Sequence, residues 1–325
     1  MKAVTSGGGK EYCARPGKEW EDKQLWIRRM IKSVAKRAAS FLKQTFGFAS
    51  FLAHLLWRTR GDLRNPIRRA CSGKLAVLAN GPSLKDVLPR LATDEFKDTD
   101  FIAMNFFGLS DVFSRVKPRH YCLADPMFIQ RNHNYGRVMG LFDALNKRVD
   151  WEMNLYIPAH WRNRFPAFSG LHNSHIHVVP LNTTEYGGYE IFRRYFYRRG
   201  LSMPVVGTVA LMAIYVGINS GYGEVDLYGV DHTFFDSLTV NSKNQLCTRE
   251  THFYDKDKAD LKPVLRSDNS MIYRMSDYLE MIMKVFKGHD LMAAYAASQG
   301  VRVVNCTECS MIDSYERKNG NHFKF

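Results

Sequence analysis

"KLAVLANGPSL", Lys74 to Leu84, is an apolar run that stops in Asn-Gly-Pro-Ser before a helical pattern resumes. A short uninterrupted apolar run bounded by a turn reads as a strand buried on both faces, the kind that parallel sheets use. A buried strand that ends in a glycine turn and hands over to a helix leaves unpaired backbone N–H groups and a positive dipole end at one point. Such a point suits a phosphate or a sugar hydroxyl.

Working outward, short apolar runs alternate with helical patterns, as a parallel sheet with crossover helices requires. Strands are expected near 74–79, 101–104, 120–124, 154–157, 176–179, 224–228 and 301–305, and helices over 84–91, 135–148, 186–198, 207–217 and 271–299. The stretch "DSLTVNSKNQLCTRETHFYDKDKADLKP" shows neither the helical nor the strand period, so 235–270 reads as a long loop or partly helical lid inserted before the sheet finishes. The expected fold is α/β, a Rossmann-like, mostly parallel sheet with flanking helices. Three parts are expected: a loose tail over 1–16, a basic amphipathic helical arm over 17–70, and one nucleotide-binding domain over 71–325.

In the arm, Ile27, Ile31, Val34, Ala38 and Phe41 recur at helical spacing, while Arg28, Arg29, Lys32, Lys36 and Arg37 take the other faces. The later "FGFASFLAHLLW" is shorter than the roughly 20 residues needed to span a bilayer. Such a helix can lie on an anionic membrane, pack on its own domain or join copies in a homo-oligomer. The 46 Lys and Arg against 32 acids, a formal +14, fit anionic partners. No zinc-finger, RNA-recognition or helix-turn-helix pattern accompanies them, so nucleic acid is not expected. Six scattered cysteines do not describe a disulfide framework, and the N-terminal stretch has no apolar signal core, so the expected place is the cytoplasm, peripheral on the inner face of the membrane.

Polar residues at the carboxyl ends of successive strands, Asn80, Asn105 and Asp125, are placed to converge on one crevice. Arg198-Arg199 precede Gly207-Thr208, which opens an apolar helix, so guanidinium groups and a helix start could share a phosphate. His252, in "RETHFYD", is a candidate general base, and His232 beside Asp231 is its competitor. Asp98-Thr99-Asp100 precedes a strand and so falls at the wrong end of the sheet for a ligand, whereas Asp255-Lys256-Asp257 lies in the lid. Cys306-Thr307-Glu308-Cys309 lacks the second pair of a zinc site, and no metal is assigned.

Taken in order, these segments resemble the bacterial sialyltransferases of glycosyltransferase family 42, and a related Rossmann-like domain of the motility-associated flagellin glycosyltransferases and an archaeal pterin diphosphokinase. Ala79-Asn80-Gly81-Pro82-Ser83-Leu84 is similar to the family's Gly-Asn-Gly-Pro-Ser-Leu, and Asn105-Phe106 to the Asn that ends its next strand. Tyr195-Phe196-Tyr197-Arg198-Arg199 with Gly207, Tyr228-Gly229-Val230-Asp231-His232, His252-Phe253 and Val303 to Ser310 continue the likeness. The family's phosphate-holding tyrosines have no counterpart in His232-Thr233-Phe234-Phe235, and Asp125 stands where the family has Asn. The resemblance implies an inverting glycosyltransferase that moves an acidic, sialic-acid-like sugar from a CMP-activated donor to a surface glycan or glycolipid, as in lipopolysaccharide or capsule synthesis, with no cofactor. His252 would be the base; Asn80, Gly81, Ser83, Asn105, Asp125, Arg199, Gly207, Thr208, Asp231 and Tyr254 would seat the donor. The alternatives are an Mg-dependent diphosphokinase of a pterin-like alcohol, with Asp125, Asp231 and Asp236 as ligands, and a non-catalytic nucleotide-binding scaffold of a polysaccharide assembly complex.

Overall fold

A computed structural model describes residues 16–60, 63–91, 93–204, 207–249, 261–266 and 271–318. His252, Tyr254 and Asp255-Lys256-Asp257 lie outside the described residues. In chain order the elements are α1 (Pro16–Thr59), β1 (Lys74–Leu78), α2 (Leu84–Val87), β2 (Thr99–Met104), α3 (Phe113–Val116), β3 (His120–Cys122), α4 (Tyr135–Arg148), β4 (Met153–Pro158), α5 (Phe165–Ser169), β5 (Ile176–Leu181), α6 (Glu190–Arg198), α7 (Val209–Ser220) and β6 (Glu224–Tyr228). They continue with β7 (Thr239–Val240), β8 (Leu246–Thr248), β9 (Lys262–Pro263), α8 (Met275–Ser298), β10 (Arg302–Asn305) and β11 (Glu316–Arg317).

Eight strands form one sheet in the order β11-β10-β6-β1-β2-β3-β4-β5, every neighbouring pair parallel. β1 sits near the middle, and its residues alternate between two cores. Leu75 and Val77 join Ala79 in the cluster that holds α7, while Ala76 and Leu78 face the cluster of α2 and α4. A strand buried on both faces needs no polar alternation, which is why "LAVLA" is apolar throughout. The chain lays down β1 to β5 on one side, then returns through α7 to place β6 against the free edge of β1. Strand order therefore reverses between β1 and β6, the place where open α/β sheets bind ligands.

α7 makes that return. Every residue from Ala210 to Ser220 is buried, so the helix is apolar all round instead of striped. α8 packs on it, and the Tyr215 hydroxyl donates to the Tyr197 carbonyl at 2.6 Å to tie it to α6. Ser220 and Gly221 pack against Cys71, ahead of β1, so α7 ends at the amino edge of the sheet. Twelve residues at about 1.5 Å each reach about 18 Å back to the carboxyl edge, where Gly207 and Thr208 start it.

Four elements differ from expectation. The helix over 84–91 stops at Val87, because Pro89 cannot supply the N–H that another turn needs. The helix over 186–198 begins only at Glu190; the residues before it form a loop in which Gly187 and Gly188 press against Gly47 and Phe48 of α1. The lid is not helical among the described residues but carries the three-stranded antiparallel sheet β7-β8-β9. The arm is one helix of 44 residues, and its last third is not separable: Phe51 and Leu55 are buried in the α7 core. Residues 28–43 are exposed. Among the described residues no helix is long and apolar enough to cross a membrane.

Candidate functional site

The crevice is built at the carboxyl ends of β1, β2, β3 and β6. Leu78 pairs with Ala103, and Asn80 and Asn105 each stand two residues past that pair, beyond the carboxyl ends of adjacent strands. Asn80 is 7% exposed, and its Oδ1 has no hydrogen-bond partner among the described residues; the Oδ1 of half-buried Asn105 has none either. Asn105 holds a left-handed backbone (φ 49°), a conformation Asn tolerates better than most residues, and its carbonyl accepts from the Tyr121 hydroxyl at 2.5 Å. Asp125, past the end of β3, accepts from the Met127 N–H at 2.9 Å, and burial raises its carboxyl above the ordinary carboxylate range. The three strand-end residues thus stand on neighbouring strands.

Gly81, Ser83 and Asp231 form a unit of their own. Gly81 N–H donates to the Gly229 carbonyl at 2.9 Å, while the Ser83 hydroxyl (2.9 Å) and N–H (3.3 Å) both donate to the Asp231 carboxylate. A Cβ at Gly81 would overlap Asp231 Oδ2 and stand 2.5 Å from the Gly229 carbonyl oxygen. The bareness of Gly81 therefore admits Asp231 of β6's loop, a neighbour that the turn sequence alone does not show. Burial pushes the Asp231 carboxyl up, and its bonds from Ser83 oppose that rise.

The loop after β6 is clamped from the far end of the chain. Ser310 Oγ donates to the Val230 carbonyl at 2.7 Å, Thr307 Oγ1 donates to the Leu227 carbonyl at 3.2 Å, and Asn305 Nδ2 donates to Ser310 Oγ at 3.0 Å. His232 follows in a left-handed conformation (φ 52°) and meets His289 of α8, Nε2 to Nε2, at 3.1 Å. His289 Nδ1 lies 2.9 Å from the Tyr315 hydroxyl. Burial lowers the His232 pKa to about 4 and takes His289 well below its usual value, so both rings are neutral at pH 7 and share one hydrogen between their Nε2 atoms.

Thr208 caps α7, its Oγ1 accepting from the Ala210 N–H at 3.4 Å, and Gly207 gives room to Val285 of α8. Together they put a helix N-terminus at the carboxyl edge. Arg199 is placed elsewhere. It is the exposed C-cap residue of α6, whose Arg198 carbonyl accepts from Asn65 in the segment that leads into β1, and no described hydrogen bond joins Arg199 to the crevice. Asp98-Thr99-Asp100 is at the amino edge, where Asp100 accepts from Arg119 and Tyr222.

No family model matches the chain, and no curated protein matches it. Among solved structures it is similar to the MAf glycosyltransferase of Magnetospirillum magneticum AMB-1, at 13% identity and a TM-score of 0.43, over 82% of this chain and 38% of that one. It is also similar to the sialyltransferase CstII of Campylobacter jejuni in complex with cytidine-5'-monophosphate, at 14% identity and a TM-score of 0.37, over 75% of this chain and 84% of that one. The CstII complex with CMP-3FNeuAc gives 13% identity and a TM-score of 0.36, over 76% and 85%. These are the two kinds of protein whose motifs the sequence resembles. Likeness this faint carries nothing about chemistry, so what the crevice does is read from its own residues.

Those residues include several that the sequence did not single out. His289 and Tyr315 sit in a helix and a loop with no motif around them, and only the fold brings them to His232. Thr307 and Asn305 lay inside the Val303 to Ser310 likeness without an assigned part. Among the described residues, no cluster of three or more His, Cys, Asp or Glu is arranged to hold a metal ion.

Proposed function

We propose that the chain is a glycosyltransferase that uses a nucleotide-activated donor, a CMP-linked acidic sugar of the sialic-acid type, and inverts the anomeric carbon as it passes the sugar to a surface glycan or glycolipid. The observation that carries this reading is the pair of asparagine oxygens, Asn80 Oδ1 and Asn105 Oδ1, that follow adjacent strands at the carboxyl edge and have no hydrogen-bond partner among the described residues. A buried acceptor left unpaired costs about 1–3 kcal/mol, which a ligand's N–H or O–H groups would recover. A nucleotide sugar offers both hydroxyl and amine donors to such a pair, and a phosphate to the α7 N-terminus.

The acceptor hydroxyl needs a base. His232 is held neutral with a pKa near 4, a poor proton acceptor at neutral pH, which favours His252 of the lid over His232 for that role. The arm supports peripheral attachment at the inner face of the cytoplasmic membrane: from Lys23 to Arg60 it carries nine Lys and Arg and no acid, with Ile31, Val34, Phe41 and Leu42 exposed along one stripe.

The deciding experiment is nucleotide release from a panel of CMP-, UDP- and GDP-sugars, with ATP plus a pterin alcohol alongside, for the wild type, His252→Ala and Asn80→Ala. Release of CMP alone, reduced at least a hundredfold by His252→Ala, is the expected result. Turnover of ATP only would move the chain to the diphosphokinases, and nucleotide binding without turnover would make it a scaffold.

A further inference from the structure

A second concavity lies on the same edge of the sheet, under α1. One part, a groove of about 540 Å³, runs between Ser50, His54 and Arg58 of the helix and Thr183, Thr184 and Glu185, which follow β5. The other, about 260 Å³, is walled by Trp57, Arg58 and Arg60 on one side and His160 and Arg162, which follow β4, on the other. Arg58 lines both, so the two parts adjoin. The helix is fixed over them by Phe51 and Leu55, by the close approach of Gly47 to Gly188, and by the bond between Thr45 Oγ1 and the Tyr189 hydroxyl at 2.6 Å.

The lining is cationic. Arg58, Arg60 and Arg162 have no acidic partner among the described residues, and Glu185 is the carboxylate among the lining groups. Burial, with the Arg58 charge beside it, lowers the His160 pKa, so that ring adds a neutral hydrogen-bonding edge. Thr184 is 6% exposed; its carbonyl accepts from Ser202 and Met203 and its N–H donates to Asn182, yet its hydroxyl has no partner among the described residues. The outer side of the same helix carries Phe46, Leu56 and Trp57, at 78%, 53% and 74% exposure. At a strand spacing of about 4.8 Å, the ends of β4 and β5 lie about 14 and 19 Å from the end of β1.

We propose that this groove holds the phosphate-bearing head of a lipid-linked acceptor, with α1 serving at once as the membrane-facing element and as one wall of the acceptor site; this rests on the transferase reading above. Guanidinium groups match phosphate oxygens in pairs, the Thr184 hydroxyl supplies a further hydrogen bond, and the apolar outer face of α1 places the groove at the depth where a lipid head group lies. A glycan on that phosphate would run along the carboxyl edge toward Asn105 and Asn80.

The test is calorimetric titration of the full chain with farnesyl diphosphate, with dihexanoyl phosphatidylglycerol and inorganic diphosphate as the other arms, for wild type, Arg60→Gln/Arg162→Gln and Thr184→Val. Both substitutions are mild: the two arginines are exposed, and Thr184→Val keeps the size of a side chain whose hydroxyl has no partner among the described residues. The expected result is saturable 1:1 binding of farnesyl diphosphate, weakened about tenfold or more in the double variant and severalfold in Thr184→Val, with CMP binding and melting temperature unchanged. Unchanged affinity in the variants would overturn the proposal, as would equal affinity for the phosphatidylglycerol probe, which would mark a bulk-lipid site, or for inorganic diphosphate, which would show that no lipid is read. Loss of the transferase reading shows separately, as absence of CMP binding by the wild type.

Discussion

Replacing Gly81 by Ala tests how the crevice is held together. The new Cβ would overlap the Asp231 carboxylate and stand 2.5 Å from the Gly229 carbonyl, so the carboxylate must leave and the β1 and β6 turns must part. Moving Asp231 forfeits two hydrogen bonds from Ser83, at 2.9 and 3.3 Å, each worth about 1.5–3 kcal/mol when the acceptor is charged. Partial relaxation returns some of this, and overpacking adds about 1–3 kcal/mol, so the expected cost is about 3–5 kcal/mol. At roughly 2–4 °C per kcal/mol for a large domain, the melting temperature should fall by about 10 °C. Gly140→Ala is the matched control: it lies inside α4 with nothing within 4 Å of its Cβ position, so it should stabilise by about 0.5–1 kcal/mol. Asp231→Ala in the Gly81→Ala background removes the side-chain overlap but leaves the carbonyl, so the double variant should be at least about 1 kcal/mol more stable than additivity allows. Denaturant unfolding of the wild type, the three single variants and the double variant reads all of this. A Gly81→Ala cost below 1 kcal/mol, or strict additivity with Asp231→Ala, would refute the packing argument.

His120, 2% exposed, has its pKa lowered to about 4 by burial, against about 6.5 when unfolded. The unfolded chain therefore binds the extra proton first, and stability should fall as pH drops from 6.5 toward 4, by about 2 kcal/mol at pH 5 from this residue alone; urea midpoints at pH 7.5 and 5 check it, and equal midpoints would oppose it. Ser310→Ala removes the bond to the Val230 carbonyl and leaves Asn305 short of an acceptor, so it should cost about 1–3 kcal/mol in denaturant unfolding and weaken CMP binding severalfold. Deleting residues 1–40 keeps Phe48, Phe51 and Leu55 in place and should preserve the melting temperature within about 3 °C while weakening sedimentation with phosphatidylglycerol vesicles severalfold, because six of the nine Lys and Arg between Lys23 and Arg60 go while Phe46, Leu56 and Trp57 stay; unchanged sedimentation would take residues 1–40 out of membrane binding.

The seven principal strands were legible because each is an apolar run with a turn after it, and Asn80, Asn105 and Asp125 were legible as breaks at the ends of three of them. β7, β8 and β9 were not, since strands of two or three residues have no room for a period. The end of α2 could have been read from Pro89. The contact between Ser83 and Asp231 joins positions 148 apart, and nothing local to either residue marks it. Arg199 reads as a phosphate ligand by its nearness in sequence to Gly207, but a residue at the C-cap of one helix and a residue at the start of the next need not share an edge of the sheet.

The pairing of β1 also sets a timetable for synthesis. Lys74 finds Thr99 almost at once on its β2 side, but its β6 partner is Glu224, 150 residues later. At about 5–20 residues per second the ribosome takes roughly 10–30 s to deliver that strand. For that interval the most apolar strand of the sheet keeps one backbone edge open, an invitation to pair with another nascent chain. The N-terminal half of this protein should therefore be its aggregation-prone half, and its yield in cells should depend on whatever shields the nascent chain until Glu224–Tyr228 emerges.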